Sequence, residues 1–314
     1  MNLKFLPLLL CASGIAFGQT STSADLSAKP PENLKPQTEA PPMLGIHWAR
    51  DFEPGARAIE EAHTPARTRR SPDMTYHGGV IMTTANTKSI FWGTSWPGYS
   101  GDKITGMDSW YTGFSNSNYA KTSDEYTGSN GQVGPMINPG GHIVDGSAST
   151  TGNNTSTILN EVCKVITSPD PSGNGYYAVY ADTPRGNAGY CAYHSVGTCN
   201  GVRVQFAYFF KLDGDPGCDP QDTSGLHSQG LAAIANVSGH ELSEARTDPA
   251  SPGAWYDSQG QENGDKCAWT FGAPLVTFSN GTQWKIQGEW SNAAYNAGTG
   301  YPNSSGQKGC LSGQ

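Results

Sequence analysis

Basic charge is scarce in this chain: 19 Lys and Arg against 27 Asp and Glu give a formal charge of −8. A mildly acidic protein offers no electrostatic attraction to nucleic acid or to anionic membranes, so neither is expected as a partner. Long apolar runs are also missing. The run at Phe5–Leu10 is far too short to span a bilayer, and no later run is longer. It follows a single early lysine and precedes small residues at Ala16 and Gly18, the pattern of a secretory signal peptide over residues 1–18. Internal repeats, the twelve-residue EF-hand pattern and the G-x-S-x-G nucleophile elbow are absent too, which argues against a repeat array, an EF-hand protein and an elbow-type serine hydrolase.

The chain does hold seven cysteines, of which Cys11 falls in the signal segment. The remaining six, Cys163, Cys191, Cys199, Cys218, Cys267 and Cys310, are an even set in an exported chain and predict disulfides rather than a free nucleophile. Cys191–Cys199 and Cys267–Cys310 are the expected pairs. Eight Trp and fourteen Tyr supply aromatic mass for a core or for sugar-stacking surfaces. Trp255, Trp269, Trp284 and Trp290 crowd the last sixty or so residues, and core packing is expected for at least half of them.

Residues 19–72 are rich in proline and charge and lack apolar periodicity, so they read as a linker or pro-segment. From Asp73 the texture changes. "TYHGGVIMTT", "KSIFWGTSW", "GYYAVYAD" and "VRVQFAYFF" predict strands, with a weaker one at "GHIVDG". Helical spacing marks "STILNEVCKVIT", and a helix is also expected within 106–126. "GLAAIANVSGHELSEAR" predicts the longest helix, ended by Pro249. The expected architecture over 73–314 is a single α+β domain, a mixed β-sheet with a long late helix.

That late helix carries the chemistry. His240 and Glu244 are four residues apart and share a helix face, so both can reach one ion. Glu241 lies about 100° around the helix and can accept a proton from a metal-activated water. This is the HExxH arrangement of zinc hydrolases (zincin-like) with a carboxylate in place of the second histidine, and carboxylates are acceptable zinc ligands. The plainer alternative is a solvated helix on which His240 and Glu244 pair with each other and Glu241 and Arg246 face water. Against it, "LAAIANVSG" before His240 is small or apolar, which buries the histidine beside two carboxylates. Glu262, Asp265 or His194 would complete the ligand set. Asp213, Asp215, Asp219 and Asp222 in "LDGDPGCDPQD" are a possible calcium cluster or a set of turns. The HGG at 77–79 is expected to let a strand pack closely rather than to form an oxyanion hole.

Taken together, "TYHGG", "YCAYHS", "HELSEARTDP…AWYD", "ENGDKC" and "EWSN…KGC" resemble the EXORDIUM/phosphate-induced protein family in order and approximate spacing. The resemblance covers islands between Thr75 and Cys310. It places Tyr76, His77, Gly78 and Gly79 on the family's first motif, and Cys191 and His194 on its Cys-x-x-His element. His240, Glu241 and Glu244 fall on its helix, Glu262, Asp265 and Cys267 on its later loop, and Cys310 on its last cysteine. Val80 and Asp248 depart from the plant pattern of proline and asparagine. The resemblance implies a secreted protein of the extracellular matrix or cell wall.

The expected function is that of a secreted, monomeric zinc-dependent hydrolase, a peptidase, with His240, Glu244, Glu262, Asp265 and His194 as the metal-ligand candidates and Glu241 as the base. Its rival is a non-catalytic glycan- or matrix-binding protein with a structural ion. A glycosidase using Glu241 and Asp265 would need a carboxylate separation that a sequence does not fix.

Overall fold

The computed structural model describes residues 40–52 and 71–314; the signal segment lies outside the described residues. Six strands build the main sheet: β1 (Leu44–Trp48), β2 (Ala85–Trp92), β3 (Ile137–Asp145), β4 (Gly175–Pro184), β5 (Tyr190–Cys199) and β6 (Val202–Lys211). Their order is β1-β5-β6-β4-β2-β3. β6, β4, β2 and β3 are parallel neighbours, β5 is antiparallel to β6, and β1 is antiparallel to β5. Central strands β4 and β6 are buried on both faces, which is why they read as unbroken apolar runs instead of alternating. β3 carries Pro139 and two glycines and is exposed along most of its length, as befits an edge.

Three helices cover the sheet: α1 (Lys103–Phe114), α2 (Thr155–Val165) and α3 (Gln229–Thr247). α1 and α3 share one face. Tyr180 of β4 meets both, with its hydroxyl 2.9 Å from that of Tyr111 and 2.8 Å from that of Ser238. Gly106 permits their close approach, since a Cβ there would stand 2.4 Å from Leu231. α2 packs on the opposite face, with Leu159 over Gly197 of β5. Because side chains alternate along a strand, His194, three residues before Gly197, points the other way, towards α3.

α3 starts where the Ser228 hydroxyl accepts the Leu231 N–H at 3.2 Å, and it stops at Asp248 before Pro249. Every residue from Gly230 to Thr247 is buried. Arg246, expected on a solvated face, is fully enclosed and donates to the carbonyls of Ala120 and Gly134 at 3.0 and 2.8 Å. The α+β class, the mixed sheet and the long late helix are therefore as the sequence predicts.

Three expectations are corrected. Of the linker or pro-segment assigned to 19–72, residues 19–39 and 53–70 lie outside the described residues, and within 40–52 Leu44–Trp48 forms edge strand β1, paired with β5 from Leu44–His194 to Trp48–Tyr190. Cys191 does not pair with Cys199. Both lie on β5, and eight residues of extended chain separate their Cα atoms by roughly 26 Å, far beyond disulfide reach. The observed bridges are Cys163–Cys199, Cys191–Cys218 and the expected Cys267–Cys310. Finally, "TYHGGVIMTT" contributes only Thr75–Tyr76 as strand, paired with Trp255–Tyr256. Beyond the glycines the Asn130 side chain, rather than a neighbouring strand, takes both backbone groups of Ile81 at 2.9 and 2.8 Å.

Candidate metal centre

α3 carries His240, Glu241 and Glu244 under the sheet, where β5 brings His194 and the segment after Gln261 brings Glu262 and Asp265. All five sequence-predicted metal candidates and Glu241 thus meet in one place. His240 Nε2 lies 3.1 Å from Glu244 Oε1 and 3.7 Å from Asp265 Oδ1. His194 Nδ1 lies 3.5 Å from Glu241 Oε2 and 3.6 Å from Glu244 Oε2, and its Nε2 is 3.8 Å from Glu262 Oε2. Two groups of ligand atoms form around Glu244 among the described residues: His194 with Glu241 and Glu244, and His240 with Glu244 and Asp265. Within each, the atoms lie within 4.8 Å of one another.

The cluster is buried and under-satisfied. His194, His240, Glu241 and Glu244 have no solvent exposure. Both ring nitrogens of His194, both carboxylate oxygens of Glu241, Oε2 of Glu244 and Oε2 of Glu262 have no hydrogen-bond partner. Buried polar atoms are nearly always paired, and a buried charge without a partner costs several kcal/mol. Several such atoms converge on one point, an arrangement whose chemistry would suit a cation.

Protonation follows from the same crowding. Burial pushes Glu241 up to about 7 against the opposing pull of His194 and His240. Burial, reinforced by Glu244, pushes Asp265 to about 8, and burial drives Glu262 well above the usual carboxylate range. Burial would raise Glu244 as well, but His240 and His194 outweigh it and hold that carboxyl down at about 2. Burial disfavours charge on His194, yet Glu262, Glu241 and Glu244 overcome it and lift its pKa. Without a cation, then, the carboxylates share protons instead of all ionising.

Three contributors escaped the sequence. His47 of β1 is fully buried, stacks on His240 at 4.2 Å and on Trp269 at 4.5 Å, and places Nε2 3.0 Å from Gln287 Oε1. Gln287 itself contacts His240, and its backbone N–H donates to Asn236 of α3 at 2.8 Å. Gly45, with φ +43°, brings β1 against the cluster so closely that a Cβ would stand 2.0 Å from Glu244 Oε2. The alternation of Leu44, Ile46 and Trp48 with Gly45 and His47 is a strand signal that could have exposed two of the three.

A cleft of about 440 Å³ opens beside the cluster. Glu262 and Asp265 line it together with Gly45, Ile46, Trp48 and Tyr256. Asp248 also lines it, but its Oδ1 accepts the Ala254 N–H at 2.6 Å and so braces the following loop. Tyr76 and His77 stay exposed; His77 stacks on Tyr256 at 3.6 Å, and Gly79 sits where a Cβ would meet the Gly253 carbonyl at 2.6 Å, the close packing expected there, whereas Gly78, at φ +94°, has open space around it. Trp284 and Trp290 are core, while Trp255 and Trp269 are half-buried and tied by their indole N–H groups to the carbonyls of Thr127 and Trp48.

The acids of the 213–222 loop have other partners. Asp213 accepts from Lys103 at 2.6 Å and Asp215 takes Arg185 through two bonds of 2.6 and 2.9 Å. Asp219 and Asp222 cap turns by accepting the N–H groups of Gln221 and Ser224.

Fold and site together define an α+β protein with three disulfides and a buried histidine–carboxylate centre next to a cleft. No helix among the described residues is long and apolar enough to cross a membrane. No family model, curated protein or solved structure matches the chain.

Proposed function

We propose that this is a secreted, zinc-dependent hydrolase acting on peptide or protein chains. The observation that carries the proposal is the convergence of unpartnered buried nitrogen and oxygen atoms around Glu244, beside an accessible cleft. Mixed imidazole and carboxylate donors suit zinc. Bound there, the ion would supply Lewis acidity to the scissile carbonyl and to the attacking water. The chain's own groups do the rest. Glu241 has two free oxygens and a pKa near neutrality, which suits a group that takes a proton from water and returns it to the leaving amine. Burial of the cluster keeps bulk water from competing, and the wall formed by Gly45, Ile46 and Trp48 orients a chain lying in the cleft. Three disulfides and the N-terminal segment support export, and the resemblance to the EXORDIUM family supports an extracellular setting.

The test is cleavage of a peptide library by the zinc-loaded protein and by its Glu241→Gln variant. Turnover is expected to fall by about 100-fold or more in the variant, the usual contribution of a positioned base. A variant as active as the parent would remove Glu241 from that role. A zinc-loaded parent that cleaves no peptide would leave the reading of a glycan- or matrix-binding protein with a structural ion.

A further inference from the structure

We propose that the cleft takes its substrate as an extended peptide paired with the outer edge of β1, with a large apolar or aromatic side chain of that peptide seated on Trp48 and Phe52; this rests on the hydrolase reading above and names the conformation and side-chain class of the substrate. Leu44, Gly45 and Ile46 follow one another along β1, and all three line the cleft, as do Met43 before them and Trp48 after. Successive side chains of a strand point to opposite faces, so a cleft resting on a strand's face meets alternate residues. Three in a row line it because β1 turns its edge, not a face, to the space. β1 is also the last strand at its end of the sheet. Beyond its pairing with β5, the one backbone group of β1 bonded elsewhere among the described residues is the Trp48 carbonyl, which accepts the Trp269 indole N–H at 2.8 Å. An edge in this state is a template for a further strand.

The edge leads to the histidine–carboxylate centre. Gly45 sits in the irregular step of pairing between Leu44 and His47, and a Cβ there would stand 2.0 Å from Glu244 Oε2 and 2.4 Å from His194 Nδ1. Glu262 and Asp265 line the same cleft. A chain paired with β1 therefore carries its carbonyls past the cluster. A strand of peptide groups, with alternating donors and acceptors, matches this edge, and a sugar chain has no such repeat.

Side-chain preference follows from what surrounds the edge. Trp48 is 37% exposed and Phe52, 49% exposed, stacks on it at 5.6 Å. Both are held in place: Phe52 donates its N–H to the Ala49 carbonyl at 3.0 Å and lies over Gly189, where a Cβ would stand 2.4 Å from its ring. Two fixed, exposed rings at the side of a cleft gain most by covering an apolar or aromatic group. Asp248, Glu262 and Asp265 line the cleft and no Lys, Arg or His does, so an acidic side chain is disfavoured there.

The experiment is calorimetry of capped hexapeptides with the full-length, zinc-loaded Glu241→Gln variant, in which cleavage is suppressed, and with the metal-free parent, which needs no substitution to fold. One series moves a single Phe along an Ala/Ser background, with Ala or Glu in its place as controls. A second N-methylates one backbone nitrogen at a time. Pairing with β1 predicts that N-methylation weakens binding by about 10-fold at alternate positions and little between them. The best Phe peptide should bind about 10-fold more tightly than its Ala counterpart, with Glu weakest, and Trp48→Ala should erase the preference for Phe while keeping zinc. N-methylation effects without alternation, a Phe preference that survives Trp48→Ala, or binding of chitohexaose but of no peptide would overturn the proposal and leave the metal centre standing. Peptides that bind with the predicted alternation, yet are never cut by the zinc-loaded parent, would uphold the strand and overturn the hydrolase reading alone.

Discussion

Two groups of four carboxylates face each other across this sequence, and the fold treats them in opposite ways. Asp213, Asp215, Asp219 and Asp222 are each given a partner: lysine, arginine, or the N–H of a tight turn. Glu241, Glu244 and Glu262 are buried together beside the half-buried Asp265, and several of their oxygens have no partner. In the sequence both read as acidic candidates for an ion, and the loop has the denser acids. What separates them is not the count of charges but whether each charge is already answered. A carboxylate with a protein cation or a turn amide has no need of a metal. A buried carboxylate without either does.

The comparison can be broken most directly at Glu244, which belongs to both ligand groups. Glu244→Ala should abolish zinc binding measured by calorimetry. Asp215→Ala, an equally drastic change in the loop, should leave zinc stoichiometry unchanged and cost about 2–4 kcal/mol in denaturant unfolding, because Arg185 loses its bidentate partner. If Asp215→Ala alters zinc binding, the contrast between the two clusters is wrong.

Gly45→Ala should come next in size. The added methyl enters the space beside Glu244 Oε2 and His194, at a backbone φ of +43° that disfavours a side chain. Loss of zinc binding with a retained circular dichroism spectrum is the expected pair of observations.

pH sharpens the contrast further. Glu241, at about 7, and Asp265, at about 8, are raised from ordinary values of 4.5 and 3.8. A raised acid stays protonated in the folded state while the unfolded state ionises. The unfolded state therefore gains on the folded one as pH climbs from about 4 to about 8. Melting temperature of the metal-free protein should fall over that window. Zinc displaces the shared protons, so its stabilising effect should grow over the same window and its affinity should weaken below about pH 7. A pH-independent affinity would mean that these carboxyls do not surround the ion. The smallest effect is expected at Asp222→Asn, whose turn is exposed: within about 0.5 kcal/mol, with zinc binding untouched.

The part of the site that lies on one element was legible in the sequence. His240, Glu241 and Glu244 share a helix whose cap, apolar run and terminating proline are all local signals. Glu262, Asp265 and His194 could be named but not assigned, because their arrival depends on how the sheet and the following loop pack. β1 was hidden by its setting. Five residues of strand stand in a proline-rich stretch, and its partner β5 is more than 140 residues away. With β1 went His47 and Gly45, and with them the way the cluster meets the cleft. Gln287 left no sequence signal at all, since a glutamine becomes informative only when its neighbours fix which end donates. The disulfides teach the same lesson: Cys191 and Cys199 are close in sequence and distant in space because the chain between them is extended.

Whether the buried cluster holds an ion decides the function of this site. The direct measurement is metal analysis of the purified protein after equilibration with zinc and removal of excess, beside Glu244→Ala treated identically. About one zinc per chain in the parent and none in the variant is the predicted result. A parent without zinc, or a variant that keeps it, would contradict the account.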